Sequence, residues 1–79
     1  MTNNIALAYA DRLRTLATEL AMMPVETAHD ASRLVNTLDT IGELYRDMFG
    51  DDAYNALESF GVGATNAELA ARIIADLDA

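Results

Sequence analysis

Cysteine is absent from the 79 residues of this chain, and so is tryptophan. Without cysteine the chain can form no disulfide and no thiolate-ligated metal site. Secreted proteins of this size are usually held together by disulfides, so we expect the chain to work in a reducing compartment, the cytoplasm. A chain this short buries only about 60% of its unfolded surface, and association with a partner is a common source of additional buried area.

Lysine is absent as well, and five arginines stand against 13 acidic residues, which leaves a formal net charge of −8. Surfaces that bind nucleic acid or anionic membranes need clustered lysine and arginine, so neither partner is expected. The acidity is uneven, because residues 1–24 are balanced whereas residues 51–79 contain six acids and one arginine. No apolar run approaches the roughly 20 residues of a membrane span. The acidic second half suits a basic protein partner.

The longest periodic segment is 28–49, whose apolar and small residues recur every three or four positions. Such spacing keeps one side of a helix apolar along its length. This helix needs a second apolar face, and we interpret the rest of the chain as organised around it. Leu38, in the middle of the seam, is expected to be deeply buried. The seam consists of Ala31, Leu34, Leu38, Ile41, Tyr45 and Met48.

The same period and a set of local stop signals predict further helices on both sides of this segment. Pro24 ends the first helix, and Gly50 and Gly61 follow the second and third as residues that adopt left-handed conformations freely. We predict an all-α fold in a single domain, 1–79, a small helical bundle built on a long antiparallel αα-hairpin plus two shorter C-terminal helices. The predicted helices lie at about 5–23, 27–49, 52–60 and 66–77.

Capping signals predict where these helices begin. The second helix starts either with Pro24 as its first residue or after Thr27, with Asp30 completing a T-x-x-D capping box. The clearest signal is the T-x-x-E capping box that Thr65 and Glu68 form before the last helix. The candidate N-caps of the other helices are Thr2, Asn3 and Asn4 for the first and Asp51 for the third.

His29 and Ser32, three residues apart on the long helix, are the first residues to test for chemistry. We interpret His29 as a solvated first-turn histidine beside acidic residues that suit the helix dipole. Ser32 has no glycine elbow and no oxyanion nest to support a nucleophile. We therefore predict no catalytic residue, no cofactor and no metal site, and a protein that is not an enzyme.

Two segments partly match known binding motifs. Residues 47–58 carry acidic or amide side chains at several positions of a calcium loop, but Phe49 and Asp52 stand where an oxygen ligand and a glycine are required. Residues 55–70 fit a helix-turn-helix frame, but the second helix offers a single base, Arg72, for reading DNA. Neither calcium binding nor DNA binding is predicted.

Residues 65–73, TNAELAARI, resemble the last helix of acyl and peptidyl carrier proteins, which are also small, acidic and four-helical. Those proteins attach phosphopantetheine to the serine of a D-S-L motif at the start of their second helix. The nearest match here is residues 30–34, DASRL, in which insertions break the motif. The resemblance covers the last helix alone, and a carrier function is not predicted.

Two functions remain open. The first is a non-enzymatic protein-protein interaction module that acts as a homodimer, in which the apolar hairpin faces of two copies meet. Its candidate interface consists of Leu13, Leu16, Leu20, Leu34, Leu38, Ile41, Tyr45 and Met48. The second, by analogy with small phage inhibitors, is an acidic antagonist that occupies a basic nucleic-acid-binding surface of a larger complex. Its candidate partner surface consists of Asp47, Asp51, Asp52, Glu58, Glu68 and Asp76.

Overall fold

A computed structural model describes residues 2–79, with side chains from Ile5 onward. This part of the chain contains no β-strand, and helices pack on one another as a small bundle. The predicted all-α class is therefore confirmed. The helices are α1, Thr2–Met22; α2, Ala28–Phe49; α3, Asp51–Gly61; and α4, Asn66–Asp78.

The first helix is longer at its start than the sequence predicted. It begins at Thr2 rather than Ile5, and the side chains of residues 2–4, the predicted N-caps, lie outside the described part of the chain. At its other end α1 stops at Met22, before Pro24, as expected from the missing proline N–H. The N–H of Met23 donates to the Leu20 carbonyl at 3.3 Å, which tightens the last turn.

The start of α2 is set by Thr27 and not by Pro24. The Thr27 hydroxyl accepts a hydrogen bond from the Asp30 N–H at 3.1 Å, and the Asp30 carboxylate accepts from the Thr27 N–H at 3.3 Å. The same reciprocal pair forms at α4, where the Glu68 carboxylate accepts from the Thr65 N–H at 2.9 Å. Both capping boxes satisfy N–H groups that the first helical turn leaves without partners.

The glycines act differently from the sequence-based prediction. Gly50, with φ 92° and ψ 172°, ends α2 and is also the N-cap of α3, so Asp51 is not that cap. Helix α3 runs through Gly61, which was predicted to stop it, and the positive φ of 86° falls on Gly63 instead. A Cβ-free residue is needed at Gly50 and Gly63 because L side chains rarely adopt such conformations.

The central element is α1, whereas the sequence predicted α2. Helix α1 packs against both α2 and α4, while α3 packs against α2. Since five residues join α1 to α2, the two run antiparallel as the predicted hairpin, and α4 lies against the side of α1 that the hairpin leaves open. The core consists of Leu13, Leu16, Ala17, Leu20, Ile41, Tyr45, Leu57, Ala70 and Ile73.

Candidate functional site

The residues predicted to form an interface between copies lie mainly inside the single chain. Leu13, Leu16, Leu20, Ile41 and Tyr45 are at most 5% exposed and form the core with α4. In the single chain these five side chains are therefore covered by α4 and the hairpin and do not form an exposed face. The other three predicted interface residues are half-buried against the same cluster, namely Leu34, Leu38 and Met48.

A cluster of exposed apolar side chains lies instead at the end of the hairpin where α1 begins and α2 ends. The first turns of α1 lie before the first core residue, Leu13, so Ile5 remains 66% exposed. A shallow depression of about 540 Å³ forms where this end of α1 meets the end of α2. Its lining, which we name the apolar end, is Ile5, Ala6, Tyr9 and Met48, with Asp47 at its edge.

The six acidic residues predicted as a partner surface are not equally available. Asp76 accepts hydrogen bonds from Tyr45 and Arg72, Glu68 belongs to a capping box, and Asp51 lies 3.4 Å from the guanidinium of Arg46. These three carboxylates are engaged within the chain. The remaining predicted residues, Asp47, Asp52 and Glu58, are exposed.

Two further acidic residues that the prediction missed extend this surface. Asp39 and Glu43 precede Asp47 at four-residue intervals on α2, and all three are exposed, so they form one acidic stripe. Glu58 of α3 lines the same cleft as Asp39 and Glu43. The pKa of Tyr54 in that cleft is raised, first by its hydrogen bond with Glu58 and then by burial. The four-residue spacing was the signal in the sequence that identifies the stripe.

Tyr45 and Asp76 form a polar contact between α2 and α4. The Tyr45 hydroxyl donates to the Asp76 carboxylate at 2.6 Å, and the Arg72 Nε donates to the same oxygen at 3.3 Å. Burial raises the pKa of Tyr45 to about 12, and the bond to Asp76 adds to this effect. The guanidinium of Arg72 also lies 5.1 Å from the ring centre of Phe60 on α3. This arrangement joins α2, α3 and α4.

A polar groove of about 500 Å³ runs between α1 and α2. Leu16 is its apolar residue, and His29 and Ser32 stand on its α2 side. Arg12 and Arg33 line it, so the groove gathers cationic side chains in an otherwise acidic molecule. We name it the arginine groove; its lining is Arg12, Leu16, Glu19, His29, Ser32, Arg33, Asn36, Thr37 and Thr40.

Within the described part of the chain, no group of three or more His, Cys, Asp or Glu side chains is placed to bind a metal ion. Among the four helices, as far as the structure describes them, none is both long enough and apolar enough to cross a membrane. Comparison with protein-family models, with curated proteins and with solved structures finds no match for this chain.

Proposed function

We propose that this protein is a non-enzymatic helical interaction module that forms a homodimer through its apolar end. The observation that carries the proposal is the exposure of Ile5 and Tyr9 next to Met48, where the first turns of α1 meet the end of α2. Burying such apolar surface contributes roughly 25 cal/mol per Å², so a second copy that covers it gains free energy.

The distribution of charge favours this end for contact between copies. Two chains of net charge −8 repel each other, and the repulsion acts over a Debye length of about 8 Å at physiological salt. Residues 1–24 carry balanced charge, whereas most of the excess acid lies in the later helices. Contact through the start of α1 therefore places charge-balanced chain at the interface, with Asp47 of α2 as the acidic residue in its lining. A twofold arrangement also makes the contact self-limiting.

Sedimentation equilibrium over a hundredfold concentration range tests the homodimer. We expect the wild type to dimerise at micromolar concentration and the double variant Ile5→Ser, Tyr9→Ser to remain at 8.5 kDa. The matched control is Val35→Ser, Val62→Ser, which removes apolar side chains that are 56% and 84% exposed elsewhere on the molecule. That control should dimerise like the wild type. A single 8.5 kDa species for the wild type would overturn the proposal.

The acidic stripe favours a second candidate, an antagonist that occupies a basic nucleic-acid-binding surface. Asp39, Glu43 and Asp47 are exposed on successive turns of α2, and Glu58 lies beside the first two. Arg46 lines the same cleft, but the acids outnumber it, so this side keeps a net negative charge. Association with a basic protein through such a surface depends strongly on salt.

Binding to an oligo-arginine peptide, measured by calorimetry at several salt concentrations, tests this candidate. The triple variant Asp39→Asn, Glu43→Gln, Asp47→Asn should bind more weakly than the wild type. A control variant that removes the same number of exposed charges elsewhere should keep most of the affinity. If both variants lose affinity equally, only net charge matters and the stripe is not a site. The control substitutions are Asp11→Asn, Glu19→Gln and Glu26→Gln.

A further inference from the structure

We propose that the arginine groove binds an acidic segment of a partner protein through two carboxylates. The site is separate from the apolar end and from the acidic stripe, and it takes a ligand of opposite charge to the basic partner considered above. Three of the five arginines are already paired with acidic side chains of this chain. Arg14, Arg46 and Arg72 each lie within 3.4 Å of an aspartate oxygen.

Arg12 and Arg33 differ from these three. In the part of the chain whose side chains are described, neither forms an ion pair, although acids outnumber arginines 13 to five. Both are exposed, and both line the same groove. Because these two arginines form no ion pair within the described side chains, the five N–H donors of each remain available to a carboxylate of another molecule. Two such arginines in one groove indicate a site for a ligand with more than one carboxylate.

The groove also defines how far apart the carboxylates must be. Arg33 lies near Glu19, since the two line an adjoining cavity together with Met22. Arg12 precedes Glu19 by seven residues, which corresponds to about 10 Å along α1. The two arginines therefore stand near opposite ends of the groove. Carboxylates three residues apart on a peptide in the polyproline II conformation face the same side and span a similar distance, at three residues per turn and about 3.1 Å per residue.

The rest of the lining suits a peptide and disfavours a nucleic acid. Asn36 and Thr37 place amide and hydroxyl groups on α2 between the arginines, and Ser32 stands next to Arg33, so a peptide backbone can exchange hydrogen bonds with the groove. Glu19 lies in the same groove, and its negative charge would repel a densely charged phosphate backbone. Duplex DNA carries one negative charge per about 1.7 Å of its length. The protein's net charge of −8 therefore repels DNA far more strongly than it repels a short acidic peptide.

The test uses the acetylated, amidated peptide Glu-Ala-Ala-Glu and its neutral counterpart Gln-Ala-Ala-Gln, titrated into the ¹⁵N-labelled protein. We expect saturable shifts from the glutamate peptide in residues 12–19 and 29–40, and none from the glutamine peptide. Arg12→Gln and Arg33→Gln should each weaken binding by about fivefold, as expected for one exposed ion pair. The control Arg46→Gln removes an arginine outside the groove and should leave the affinity unchanged.

Several results would overturn the proposal. Shifts of equal size with the glutamine peptide would show that the carboxylates are not recognised. Equal loss of affinity in Arg46→Gln would show a response to net charge alone. A short oligonucleotide that shifts the groove residues when the glutamate peptide does not would identify a nucleic-acid site instead. If Arg12→Gln and Arg33→Gln abolish dimerisation in sedimentation equilibrium, a second copy occupies the groove. The substituted side chains are exposed, so the variants should keep the wild-type circular dichroism.

Discussion

The hydroxyl of Tyr45 donates a 2.6 Å hydrogen bond to the carboxylate of Asp76, 31 residues later in the chain. The bond joins the buried seam of α2 to the last turns of α4. The side chain of Asp76 is 28% exposed and also accepts a hydrogen bond from Arg72. The negative charge of Asp76 is therefore compensated by the Arg72 guanidinium. Helix α4 is therefore held over the hairpin by a directional contact in addition to apolar packing.

Tyr45→Phe should lower the free energy of unfolding by about 1–2 kcal/mol, because a hydrogen bond to a charged acceptor is lost while the ring stays in place. Urea denaturation followed by circular dichroism measures the change. A double-mutant cycle with Asp76→Asn should give a coupling energy of about 1 kcal/mol. Tyr9→Phe is the control, since Tyr9 is 38% exposed at the apolar end. Additive effects of the two substitutions would contradict the contact.

The stability of the protein should fall at alkaline pH through Tyr45. Its pKa is raised to about 12 in the folded chain, from about 10 in the unfolded chain. Because the folded chain holds the phenol proton more tightly, this contribution is complete below about pH 10 and is lost as the pH rises toward 12. Thermal melts across this range should show a smaller decrease for Tyr45→Phe than for the wild type. An identical decrease in both proteins would assign the effect to another group.

Thr65→Ala should destabilise the start of α4 by about 1 kcal/mol, because the Glu68 N–H loses the hydroxyl that caps it. Amide exchange should increase in residues 66–69 before it increases in the middle of α2. Thr15→Ala is the matched control, since Thr15 is exposed inside α1 and alanine is the better helix former there. Unchanged protection of residues 66–69 would show that Thr65 does not act as the cap.

Gly50→Ala and Gly61→Ala should change stability in opposite directions. A Cβ at Gly50 meets no atom within 4 Å, so the cost comes only from its φ of 92° and amounts to about 1–3 kcal/mol. Gly61 has helical backbone, and its Cβ would lie 3.9 Å from Leu69 in ordinary contact. Alanine there should stabilise the protein by up to about 1 kcal/mol. Chemical denaturation of both variants measures the difference, and a loss of stability in Gly61→Ala would contradict the helical assignment.

Leu20→Ala should destabilise the protein more than Leu38→Ala does. Leu20 is fully buried, and truncating such a residue costs about 3 kcal/mol, whereas half-buried Leu38 should cost about 1–2 kcal/mol. Val62→Ala, at an 84% exposed position, is the control and should be close to neutral. If the variants unfold with the same dependence on denaturant concentration, their denaturation midpoints rank them by stability. A larger loss of stability in Leu38→Ala than in Leu20→Ala would indicate that α2, and not α1, is the centre of the core.

Local features of the sequence were enough to predict the four helices and both capping boxes. A capping box depends on residues three positions apart, as with Thr65 and Glu68, so neighbours in sequence contain the whole signal. The period of Leu34, Leu38 and Ile41 likewise predicts an apolar helix face without reference to the rest of the molecule. The sequence by itself therefore determined the fold class and most of the helix boundaries.

Only the tertiary structure decided how those faces are used. Periodicity identifies an apolar face but does not say which other face covers it, since that depends on helix lengths, crossing angles and the path of the loops. For this reason the seam of α2 was predicted to meet a second copy, while in the structure Ile41 and Tyr45 lie in a core shared with α1 and α4. The same packing leaves Ile5 exposed at the apolar end and places Arg12 and Arg33 in one groove, because residues that are distant in sequence become neighbours only when the helices pack.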